Sequence, residues 1–177
     1  MYDFILLVTH PWGAHQRARA EILALLGMLG DDRPAVRRTL ARGVMGVKTI
    51  LDPRGATKGL RALYERDPLV FNDTCTWLPV DLWVSAEVET MRQAIDRLRD
   101  RIGPGETWRM TLERRRYTRH HQLELIRLLA EPVTAKVDLV HPDKILRVDV
   151  LGGYAAISVL TPNDVFSVAR PGGGRVR

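Results

Sequence analysis

Thr107-Trp108-Arg109-Met110-Thr111-Leu112-Glu113-Arg114-Arg115-Arg116 sets Trp108, Met110 and Leu112 on one side and Thr107, Arg109, Thr111 and Glu113 on the other. A period of two marks a half-buried strand. The strand leaves into Arg114-Arg115-Arg116-Tyr117-Thr118-Arg119-His120-His121, a dense cationic corner. Leu125, Leu128 and Leu129 then share one face of a predicted helix, with Thr118 as its expected N-cap. Val137-Asp-Leu-Val-His-Pro-Asp143 reads as a short strand closed by a proline turn. Ile145 to Leu151 and Tyr154 to Leu160 read as two more strands, and Gly152-Gly153 between them suits a tight hairpin.

Upstream, Asp3 to Thr9 is an apolar first strand ending at the turn His10-Pro-Trp-Gly13. Ala14 to Met28 predicts a helix that turns Ala18, Ile22, Leu25, Leu26 and Leu29 to a core, and Gly30-Asp-Asp-Arg-Pro34 breaks it. Val36 to Leu40 and Val44 to Leu51 predict two strands joined at Arg42-Gly43. Asp52-Pro53 starts a second helix with the apolar stripe Leu60, Leu63, Tyr64, and Trp77 to Val84 predicts one further strand. The order is β-α-β-β-α-β, that of a ferredoxin-like domain. Glu87 to Ile102 carries Val88, Met91, Ile95, Leu98 and Ile102 at helical spacing and stops at Gly103-Pro-Gly105.

The block from Trp108 onward resembles the THUMP domain. The resemblance rests on Met110 to Arg116, on Val137-Asp-Leu-Val-His-Pro-Asp143, on Leu146-Arg-Val-Asp-Val150 and on Ala156-Ile-Ser-Val159. It implies an α+β protein: a ferredoxin-like domain over 1–84, a THUMP α/β domain with a mixed sheet over 85–168, and a flexible tail over 169–177. It also implies an RNA-binding role, since THUMP domains are RNA-binding modules of tRNA-modifying enzymes.

Composition agrees with a nucleic-acid partner without proving one. Net charge is +6, with 27 basic against 21 acidic residues, and only Lys48, Lys58, Lys136 and Lys144 are lysines. Arginine offers a planar fork that fits phosphate and stacks on bases. A GC-rich genome or a hot habitat would also raise arginine without any ligand. No stretch approaches the roughly 20 apolar residues of a membrane span. The N-terminus carries Asp3 where a signal peptide needs basic residues, so a cytoplasmic protein is expected. Cys75 is the single cysteine, which leaves no disulfide framework or thiolate cluster to expect.

The candidate RNA-binding residues form two sets. Arg109, Arg114, Arg115, Arg116 and Arg119 fall within eleven residues, with Tyr117 among them and His120 beside them. Several fixed cations suit phosphates, and an interleaved aromatic suits an exposed base. Lys136 and Lys144 extend this set, and the alternation puts Arg109 on the strand face opposite Trp108. Arg37, Arg38, Lys48 and Lys58, with Arg42, Arg54 and Arg61 around them, form the second set, either continuing one groove or scattered over unrelated faces.

No catalytic constellation is legible. His120 and His121 point about 100° apart on a helix and have no ligand cluster beside them. His10 and His15 flank Pro11-Trp12-Gly13 without a nucleophile, and Gly55-Ala-Thr-Lys58-Gly59 lacks the ending of a phosphate-binding loop. Asp138 and Asp143 are expected to fix turns. Known THUMP enzymes carry a separate catalytic domain, and fewer than twenty of the 177 residues follow Val159. The resemblance therefore implies a stand-alone, non-enzymatic adaptor without cofactor or metal. Such an adaptor would bind tRNA and present it to an RNA cytidine acetyltransferase that makes N4-acetylcytidine. Two rivals stand beside it: a protein-interaction subunit with weak RNA binding, and a small enzyme with a site near His10, Trp12 and His15.

Overall fold

The computed structural model describes residues 2–168 of the chain. Two sheets carry the fold. The first runs β2 (Ala35–Arg38), β3 (Val44–Lys48), β1 (Leu6–Thr9), β4 (Thr76–Pro79) and β9 (Phe166–Ser167), antiparallel throughout. The second runs β5 (Leu82–Ser85), β8 (Tyr154–Leu160), β7 (Lys144–Leu151) and β6 (Trp108–Arg115), and its β6–β7 pair is parallel. The mixed sheet and the order β2-β3-β1-β4 are the expected architecture.

Strand alternation explains the three cores. In β1, Leu6 and Val8 face helices α1 (His15–Met28) and α2 (Pro53–Arg66), while Leu7 faces away from them. Trp77 and Leu78 divide in the same way. In β7, Leu146, Val148 and Val150 face helices α3 (Val88–Leu98) and α4 (Gln122–Ala130). The faces without helices meet through a smaller core in which Leu7, Val44 and Leu78 pack with Leu151 and Ala156. Strands buried on both sides read as continuous apolar runs, which is why residues 4–8 show no alternation.

The two sheets are also tied by polar contacts. Asp81, whose side chain is 6% exposed, accepts from Arg54 and Arg101 and from the Val159 amide at 2.9 Å. Arg54 donates in turn to the Val159 carbonyl at 3.0 Å. Arg54 and Arg61, which caps the carbonyls of Asn163 and Val165, are thus structural rather than parts of an open cationic surface.

Four sequence expectations need correction. The stretch from Trp77 to Val84 is two strands, because Val80 still donates to Ile5 in the first sheet whereas Asp81 ties to Ser158 and Val159 in the second. A boundary after residue 84 therefore cuts through β5, and β9 returns to the first sheet. Residues 137–143 make a single bridge, Trp108 to Val137, instead of a strand. Asp138 draws the amides of Val140 and His141 into a local turn at 2.9 Å each, which removes them from any ladder. The N-cap of α4 is His121, not Thr118: Glu124 reaches back to the His121 amide at 3.2 Å. The expected tail, 169–177, lies outside the described residues.

Candidate nucleic-acid interface

The exit of β6 is built by its own side chains. Arg114 lies on the helix side and donates to the carbonyl of His120. Tyr117 is only 8% exposed within the second core, and its hydroxyl lies 2.8 Å from Nδ1 of His120. Burial pushes the Tyr117 phenol above its ordinary value. These contacts close the loop between β6 and α4. Tyr117 and His120 therefore shape the corner, and the Tyr117 ring is not open to stack on a base.

The remaining corner arginines divide by face. Arg115 is half-buried with Nη1 3.5 Å from Asp149, which also takes two bonds from Arg147 at 2.7 and 3.0 Å. Arg109, on the same face, donates to the Leu139 carbonyl at 3.2 Å. Arg116 is exposed with φ 57°, a left-handed conformation that costs a non-glycine residue about 1 kcal/mol. Arg119 is exposed and pairs with Glu87. Arg109 Nε, Arg114 Nε and Arg115 Nη1 are buried N–H groups without an acceptor among the described residues. Such a donor costs about 1–3 kcal/mol until something accepts from it.

Lys136 and Lys144 lie at the opposite end of β6. Lys144 approaches Glu106 at 3.6 Å, and the Lys136 carbonyl receives the Trp108 amide at 3.0 Å. Eight strand residues separate this end from the Arg115 end, roughly 20 Å of backbone, so one phosphate cannot be shared by both. Asp138 and Asp143 fix turns as expected, Asp143 by accepting from the amide and hydroxyl of Thr107 at 2.7 and 2.9 Å. Those bonds hold the Asp143 carboxyl below its ordinary value.

The second basic set does not form one surface. Arg37 pairs in register with Gly46 on the face turned from α1 and α2, and Lys48 on that face is bound to Asp3. Arg38 sits on the other face. Lys58 is exposed on α2 and apart from both. Arg38 instead joins Arg42, His10, Trp12 and His15 around a cleft of about 450 Å³ between the β1–α1 and β2–β3 loops. Sequence alone read His10 to Gly13 as a turn and grouped His10, Trp12 and His15 only as a rival enzyme site, without Arg38 and Arg42. The available signal was Trp12 itself, a large aromatic in a Pro-Trp-Gly turn with no inward face to fill.

No protein-family model and no curated protein sequence matches the chain. Solved structures share its architecture. PH1313 from Pyrococcus horikoshii superposes over 90% of this chain with a TM-score of 0.61 at 15% identity. TrmN from Thermus thermophilus does so over 87%, with a TM-score of 0.56 at 20% identity. The fold is a ferredoxin-like domain followed by a THUMP domain. A 4-thiouridine synthetase solved with RNA and ATP aligns over 93% of the chain, with a TM-score of 0.50 at 12% identity. The chain spans 55, 44 and 42% of these three structures, and identities this low establish shared architecture alone. Among the described residues, no helix of this THUMP-fold chain is long and apolar enough to cross a membrane.

Proposed function

We propose that the protein binds structured tRNA through the cationic exit of β6 and presents it to a separate RNA-modifying enzyme, an RNA cytidine acetyltransferase, in the cytoplasm. One observation carries the reading. Arg116 stands exposed directly after the half-buried Arg114 and Arg115 at the end of β6, so a dense block of positive charge reaches the surface there. Phosphate oxygens are the acceptors such guanidinium groups fit. The shared fold with a 4-thiouridine synthetase solved on RNA, and with TrmN, supports the choice of RNA. In this reading the chain supplies charge and shape, and its partner supplies the chemistry.

Arg116→Glu is the direct test, because Arg116 is exposed whereas Arg115 faces the buried Asp149. The variant is expected to weaken tRNA binding and lower the salt slope by about one. Unchanged affinity and slope would remove the corner from the interface. For the adaptor role, affinity purification from cells should recover an RNA acetyltransferase, and nuclease treatment should release it. Val137, Leu139 and Val140, exposed by 55, 69 and 73%, favour a second reading as a protein-docking subunit. Retention of the enzyme after nuclease treatment would support that second reading.

A further inference from the structure

We propose that the cleft between the β1–α1 and β2–β3 loops is a binding site for one unstacked nucleotide, with its base laid on Trp12 and its phosphate held by Arg38 and Arg42. Trp12 is 83% exposed at the tip of a turn that Ala14 closes on the Pro11 carbonyl at 3.2 Å and that Gly13 completes with φ 82°. Trp77 and Trp108, by contrast, lie within cores at 0 and 3% exposure. An indole presented to solvent beside a cleft is a surface on which a base stacks, whatever its sequence.

The rest of the lining fits the same ligand. The cleft holds about 450 Å³, within the range of small-ligand sites, and no acidic side chain lines it. Neither Arg38 nor Arg42 has an acidic partner among the described residues, so both guanidinium groups are available to an anion. The imidazoles of His10 and His15 stand 5.8 Å apart, and Nδ1 of His10 lies 2.8 Å from the Pro11 carbonyl. Burial, then the charge of Arg38, hold the His15 imidazole below its ordinary value.

The floor is fixed by backbone. His10 donates to Gly43 at 2.9 Å, and Gly43, with φ 74°, would place a Cβ 3.1 Å from the His10 carbonyl. The cleft also adjoins the β6 exit. Leu40 lines it, and the Leu40 carbonyl is the group that Arg116 binds at 3.2 Å. The assignment to RNA rests on the tRNA-binding reading above. The base-and-phosphate chemistry does not, since a free nucleotide has it too.

Trp12 fluorescence tests the proposal in the full chain. Single-stranded tetra-adenylate RNA should quench emission saturably, and Trp12→Ala should abolish the quench and weaken binding about 10- to 100-fold, the range for one stacked base. Trp12→Phe should retain most of the affinity, and Arg38→Gln with Arg42→Gln should weaken binding while keeping the quench at saturation. Adenosine monophosphate binding as tightly as the tetranucleotide would support the site and assign it to free nucleotide. Absence of a saturable quench by either probe, or a Trp12→Ala variant that binds as tightly as the native chain, overturns it. If tRNA still binds in an Arg116-dependent manner when the quench is absent, the cleft assignment fails and the tRNA reading stands. If the tetranucleotide quenches but tRNA binds no better than duplex DNA, the reverse holds.

Discussion

Arg116 donates from Nη1 to the backbone carbonyl of Leu40 at 3.2 Å, across the two domains. Its own backbone is left-handed there, with φ 57°. Gly152 donates to the Arg115 carbonyl at 2.8 Å, so the exit of β6, the β7–β8 hairpin and the β2–β3 loop converge on one spot. The strongest cationic segment of the sequence is thereby set against the loop that walls the Trp12 cleft.

Arg116→Gly separates the backbone from the charge. Glycine relieves about 1 kcal/mol of left-handed strain, and the exposed Leu40 carbonyl can turn to water. The melting temperature is expected to hold or rise while tRNA affinity falls. A parallel fall in stability would mean that the side chain holds the corner together.

Asp81→Ala removes the acceptor shared by Arg54, Arg101 and the Val159 amide. Leaving these donors half-buried should cost about 1–3 kcal/mol. Urea unfolding should show the loss, with the two domains separating into distinct transitions. A single transition at the native midpoint would contradict the role given to Asp81.

Gly46→Ala tests the packing between the sheets. A Cβ there would lie 2.0–2.4 Å from the ring of Phe4, which sits among Tyr2 and Trp83. Overpacking of this kind costs about 1–3 kcal/mol. The variant should melt lower, and truncating Phe4 alongside it should recover part of the loss.

Asp31 gives the fold an acid-sensitive joint. Burial raises its carboxyl, but bonds from Thr49 and from the amides of Arg33 and Ile50 outweigh this and hold it below the ordinary 3.8. A carboxyl depressed on folding stabilises above its unfolded value, and that contribution disappears as pH falls through the folded one. The native chain should therefore lose stability below about pH 4, and Asp31→Asn should flatten that limb. An acid limb of unchanged depth in the variant would assign it to other carboxylates.

Much of the fold was legible because it rests on local periodicity. The stripes of α1 and α3 and the Gly152-Gly153 hairpin follow from spacing alone. The sequence hid what depends on partners. Trp77 to Val84 is apolar but for Asp81, and only the pairing of Asp81 across the chain shows where one sheet hands over to the other. Val137 to Asp143 has strand composition, yet Asp138 claims its amides for a turn. For the site, charge density drew attention to the β6 exit, but alternation could not show that Tyr117, beyond the end of the strand, points into a core. Arg38 and Arg42 were not joined to His10, Trp12 and His15 because the two loops are separated by a helix.

Binding of the purified chain to unfractionated tRNA across a salt series, beside duplex DNA of equal charge, tests the central claim most directly. The account predicts tRNA binding that outlasts DNA binding as salt rises, since groove shape adds to phosphate contact. Equal binding that collapses with salt for both would contradict it and leave the arginines of β6 a generic cationic surface.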